Sequence, residues 1–101
     1  MVPVMPTMEK IKSILAEHKE ELAARFNVAQ LGIFGSYVRG EQKRTSDIDV
    51  LVEFREPVGL FRFLDLEEYL TDLLGRKVDL VSKKALKPRI GSRILGEAVY
   101  I

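Results

Sequence analysis

The 101-residue chain has no cysteine and no tryptophan, and sets 16 basic against 15 acidic side chains for a formal net charge of +1. That length is one domain's worth, with no room for a separate substrate-binding lobe, and 47% hydrophobic with 31% charged residues excludes a disordered or collagenous chain. The missing cysteines exclude disulfides and thiolate metal sites, the near-neutral charge argues against a duplex-DNA footprint, and no apolar run approaches the roughly 18 residues that span a bilayer.

Residues 1 to 7 read as an N-terminal extension and 8 to 101 as a single domain. MVPVMPT lacks a charged region followed by an apolar run, so a soluble, untargeted, cytoplasmic protein is expected. Met8, Ile11, Leu15, Leu22 and Phe26 follow helical spacing, with Thr7 as N-cap and Glu9 in the first turn. His18 falls at the edge of this apolar stripe and reads as a satisfied, partly buried histidine with no chemical role.

Val28 to Phe34 is a short apolar run that suits a buried strand, broken by Gly35-Ser36. SYVRGEQKRTS reads as a helical turn followed by a loop. In DIDVLVEF, Ile48, Val50, Val52 and Phe54 alternate with Asp47, Asp49, Leu51 and Glu53, so the two aspartates project from one face of a strand. Pro57 and Gly59 end it. The leucine and phenylalanine stripe of residues 60 to 74 predicts a core helix closed by Gly75, with Asp65, Glu67, Glu68 and Asp72 on its wet face. KVDLV is a further strand with Val78 and Leu80 on one face and Asp79 on the other. Pro88 opens a last helix with Ile90, Ile94, Leu95 and Ala98 on one stripe, and VYI returns to the sheet. Helices alternating with three or four short strands predict an α/β (α+β) domain, a small mixed β-sheet flanked by helices.

The string LGIFGSYVRGEQKRTSDIDVLVEF sets Gly35-Ser36 ten residues ahead of Asp47-x-Asp49. Two carboxylates at i and i+2 of a strand can share hard divalent cations, and Mg²⁺ prefers a few carboxylates with waters and substrate phosphates. A Gly-Ser at a strand end offers close backbone approach, N–H donors and a hydroxyl to a phosphate. Asp79 is a candidate third carboxylate, either as a further metal ligand or as acceptor of a proton from an attacking hydroxyl. Arg39, Lys43 and Arg44 read equally as triphosphate contacts or as a solvated loop. The acidic cluster also lies in the negative part of the chain. Residues 47 to 72 carry 8 acidic and 2 basic groups, whereas 76 to 101 carry 2 acidic and 7 basic. That basic tail is either a solvated helix or a docking surface.

With Asp79 in RKVDLV, this string resembles the minimal nucleotidyltransferases of the polymerase-beta-like superfamily. GSYVRG, SDIDVLVEF, the run LFRFLDLEEYLTDLLGRKVDLVSKKALKP and the terminal ILGEAVYI are similar to the antitoxins paired with HEPN-domain toxins. The chain departs from the family's usual pattern at Val38, commonly Ala, and in its longer EQKRT turn. The resemblance implies the nucleotidyltransferase fold and an enzyme that transfers AMP from ATP to a tyrosine of a HEPN-domain toxin, forming a hetero-oligomer with it. It implies Asp47, Asp49 and Asp79 as catalytic metal ligands for Mg²⁺, two ions in all, and Gly35, Ser36 and Arg39 as nucleotide contacts. No membrane and no sequence-specific DNA partner is expected. Two alternatives stay open: an antitoxin that neutralises by binding alone, and a nucleotidyltransferase acting on a small-molecule or RNA hydroxyl.

Overall fold

The computed structural model describes residues 6–101, so most of the expected N-terminal extension lies outside the described residues. Thr7 does cap the first helix, its hydroxyl accepting the Lys10 N–H at 3.1 Å. The apolar stripe expected to run to Phe26 is two helices, α1 (Met8–Glu17) and α2 (Lys19–Phe26). The joint is His18. Its ring Nδ1 lies 2.8 Å from the Ile14 carbonyl oxygen, which requires the proton on Nδ1, and its backbone at φ −103, ψ 9 leaves the helical region. The expected partly buried, satisfied histidine is borne out, with the addition that it breaks the helix. Asn27 ends α2 in the left-handed conformation, φ 59.

Strands β1 (Val28–Phe34) and β2 (Ile48–Phe54) are antiparallel neighbours separated by the short helix α3 (Ser36–Arg39) and a loop. Helix α4 (Leu60–Leu74) then carries the chain to β3 (Val78–Ser82), which pairs parallel with β2 and therefore needs such a crossover. A single 3₁₀ turn leads to α5 (Pro88–Glu97), and β4 (Val99–Tyr100) pairs antiparallel with β1. The sheet order is β3-β2-β1-β4. The expected small mixed sheet flanked by helices is the observed architecture.

Strand alternation divides the sheet into two unlike faces. Leu31, Ile33, Ile48, Val50, Val52, Val78 and Leu80 meet Ile11, Leu15, Leu22, Phe26, Leu66, Leu70 and Leu74 from α1, α2 and α4, and this is the core. Burying each such side chain contributes about 1.5–3 kcal/mol. The opposite face carries Asp49 and Asp79 at one end, together with the buried Phe34 and Leu51.

Three expectations about side chains fail. Leu60 and Leu64 of the expected stripe are exposed at 67% and 45%, and only Leu66, Leu70 and Leu74 are buried, with Phe63 packed partly against the core. Glu67 is not on a wet face. It accepts the Leu80 N–H at 3.0 Å while Thr71 Oγ1 accepts the Val78 N–H at 3.1 Å, so α4 satisfies donors of the edge strand β3. The α5 stripe is mostly at the surface, with Ile90 60% exposed and only Gly91 buried. Helix periodicity gives a stripe, but whether a layer covers it depends on the neighbouring elements.

Candidate active site

The site is assembled at one end of the sheet face opposite the core. Asp49 pairs in register with Phe34 on β1 and with Asp79 on β3, so the parallel β2–β3 ladder sets two carboxylates side by side. Asp47 immediately precedes β2 and adds its negative charge to Asp49, while Lys77 approaches Asp47 at 3.9 Å. Burial raises Asp49 from 3.8 to about 6, aided by the Asp79 and Asp47 charges and opposed by Arg39. Converging carboxylates with little neutralising protein charge are a donor set suited to a hard divalent cation. Among the described residues, however, no three acidic, histidine or cysteine side chains form a ready-made metal cage. The protein offers part of a coordination shell, as Mg²⁺ sites completed by water and substrate phosphate do.

Gly35 ends β1 at φ 78, ψ −149, a region effectively reserved for glycine. A Cβ there would also overlap the Asp49 carboxylate, so the turn and the aspartate occupy mutually exclusive space with any other residue. Ser36 follows as the first residue of α3, half-buried, and Tyr37 behind it enters the core. Arg39, at the end of α3, reaches Glu97 at 2.7 Å and Glu41 at 3.1 Å. Gly35, Arg39, Asp47, Asp49 and Asp79 therefore share one locality. Lys43 and Arg44 are exposed in the loop and, among the described residues, pair with none of the aspartates.

Two participants were not singled out from sequence. Glu97 comes from the far end of α5, 62 residues from Gly35, yet accepts the Gly35 N–H at 2.9 Å. Arg76 donates to the Arg44 and Ser46 carbonyls and so holds the loop that delivers Asp47. Nothing local distinguishes either residue in the chain. A concavity of about 380 Å³ between α1, α2 and β1 lies away from the site and contains none of these residues.

The nucleotidyltransferase domain model matches residues 15–101. Protein adenylyltransferase MntA of Thermococcus cleftensis is 55% identical over 97 residues, covering 96% of this chain and 98% of that protein. A solved minimal nucleotidyltransferase superposes with a TM-score of 0.72 at 36% identity, over 88% of this chain and 93% of its own. The fold is shared with a chain of the Shewanella oneidensis complex between a tri-AMPylated HEPN toxin and its MNT antitoxin, at TM-score 0.66 and 18% identity, over 89% of this chain and 70% of that one. The two-carboxylate ladder beside a glycine turn thus sits in a chain that belongs to the nucleotidyltransferase domain family, among the MntA-type protein adenylyltransferases, and is an enzyme of that class.

Proposed function

We propose that the protein transfers AMP from MgATP to a tyrosine of a cognate HEPN-domain toxin and thereby acts as its antitoxin in the cytoplasm, where ATP is supplied. The observation that carries this reading is the Asp49–Asp79 pairing with Asp47 adjacent and Gly35 packed against Asp49, because clustered like charges are costly and a pure binding surface has no use for them. Support for the acceptor comes from the MntA relative and from the toxin complexes that share the fold.

In this reading Asp47, Asp49 and Asp79 hold Mg²⁺. Bound there, it supplies a Lewis acid that neutralises charge building on the phosphate oxygens. The Gly35 N–H, the Ser36 hydroxyl and the Arg39 guanidinium orient the phosphates for in-line attack, so the chain's contribution is positioning and charge. The tyrosine oxygen bonds to the α-phosphorus as the bond to pyrophosphate breaks, and the phenolic proton passes to Asp79, which is exposed enough to return it to solvent. The exposure of Asp79 and Arg39 suits an acceptor that arrives on another protein.

The test is the intact mass of a co-expressed HEPN-domain toxin from the same genome after incubation with this protein, ATP and Mg²⁺. Added AMP units on a tyrosine support the proposal. An unmodified toxin held in a stable complex would establish neutralisation by occlusion, and AMP transfer to RNA or a small hydroxyl compound in its place would reassign the acceptor.

A further inference from the structure

Glu97 occupies the position where an anion is expected. Its Oε2 accepts the Gly35 N–H at 2.9 Å and its Oε1 accepts from Arg39 Nη1 at 2.7 Å, so both carboxylate oxygens are used. A strand-end N–H and one arm of a guanidinium, aimed at two oxygens of one anion, are the donors a phosphate group would take. The two charges support each other: the Arg39 guanidinium and the Gly35 N–H hold Glu97 below the usual glutamate range, and Glu97 raises Arg39. Glu97 also adds negative charge within reach of Asp49, which already carries two acidic neighbours. A fourth acid beside such a cluster is unfavourable unless the donors it satisfies would otherwise face each other without an anion.

The element that carries Glu97 permits it to leave. Only Gly91 of α5 is buried, Gly96 has open space where a side chain would project, and the Glu97 side chain keeps 18% exposure. On its other side the chain is pinned by β4, where Val99 pairs with Ile33 and Tyr100 with Gly32. The backbone is held next to the site while the carboxylate has a path to solvent.

We propose that Glu97 is a displaceable latch that fills the phosphate seat of Gly35 and Arg39 in the empty enzyme and swings out when the triphosphate enters. The proposal rests on the reading that these two residues receive nucleotide phosphate. The latch keeps Arg39 pre-positioned and its charge neutralised between turnovers, and it makes the seat selective for polyanions, since a triphosphate carrying its metal outcompetes a single carboxylate where a weakly charged ligand does not. Its thermodynamic signature is a reduced apparent affinity, because only the fraction of molecules with the seat open can accept ligand.

The experiment is calorimetric titration of wild type, Glu97→Gln and Glu97→Ala with AMP-PNP and with inorganic tripolyphosphate, all at saturating Mg²⁺. Both variants should bind both probes about three- to tenfold more tightly, recovering the fraction that the latch withholds. Equal or weaker affinity in the variants, with wild type binding normally, would overturn the latch and make Glu97 a support for Arg39. Binding of neither probe by any of the three proteins would remove the nucleotide reading and the latch with it. Should the variants fail to fold, the wild-type protein still decides: the Glu97 Cδ and Gly35 amide resonances should both shift on saturation with Mg²⁺ and AMP-PNP, and an unmoved Glu97 resonance refutes displacement.

Discussion

Asp49 and Asp79 stand in register across a parallel strand pair, although 30 residues of chain and the whole of α4 separate them. A parallel ladder requires the crossover, and the crossover is what sets one carboxylate beside another.

Replacement of either aspartate of the Asp47-x-Asp49 pair tests the proposed chemistry against the fold. Asp47→Asn or Asp49→Asn should lower AMP transfer at least about a hundredfold, roughly the 3 kcal/mol that one misplaced charge contact withdraws from a transition state. Circular dichroism and melting temperature should remain those of a folded protein. Full transfer activity in a purified variant would contradict the assignment.

The elevated Asp49 predicts a pH dependence of known sign. With its folded value at about 6 against 3.8 ordinarily, the native chain retains a proton that the unfolded chain has released. The stability it contributes is complete below the ordinary value and is lost as pH rises through about 6. Without metal, the protein should melt lower at pH 7 than at pH 5, and Asp49→Asn should shrink that difference. Mg²⁺ at about a hundred times its dissociation constant should add close to 2.7 kcal/mol at pH 7, with little gain at pH 5, where Asp49 is protonated. A metal-free melting temperature that rises from pH 5 to pH 7 by the same amount in both proteins would refute this account.

Gly35 and Gly40 separate strain from collision. Both have positive φ, but a Cβ at Gly40 meets nothing within 4 Å, whereas one at Gly35 overlaps Asp49. Gly40→Ala should cost about 1 kcal/mol from backbone strain alone, and Gly35→Ala should cost about 3 kcal/mol and abolish transfer. Denaturant midpoints of the two variants give the comparison, and equal losses would argue against the packing of Gly35 on the carboxylate.

Glu67 supports an edge strand. Glu67→Ala should cost about 1–2 kcal/mol by leaving the Leu80 N–H without its acceptor, and hydrogen exchange at that amide should quicken. Unchanged protection at Leu80 would mean that water replaces the carboxylate without loss.

Much of the local structure was legible before folding. The alternation in DIDVLVEF gave β2, although the strand begins at Ile48 and leaves Asp47 just before it, while Gly75 and Pro88 marked a helix end and a helix start where they occur. These features are set by backbone periodicity and by residues with restricted or special dihedral preferences, so they need no knowledge of neighbours. The burial of Leu70 against the exposure of Leu60, and the turn of Glu67 toward the sheet edge, were not legible, since the two leucines share one stripe of one helix and differ in what packs above them.

The sequence by itself determined the chemical kinds present at the site: a glycine turn, a serine, two aspartates one residue apart and a third on another strand. Only the tertiary structure decided that Asp79 lies next to Asp49, that Gly35 must be glycine because a carboxylate fills the space of its Cβ, and that Glu97 returns from the far end of the chain to occupy the donors of Gly35 and Arg39. Strand periodicity acts over a few residues and is encoded locally, whereas strand order and the closure of α5 onto the site are set by burial summed over the whole core, which no short stretch of sequence contains.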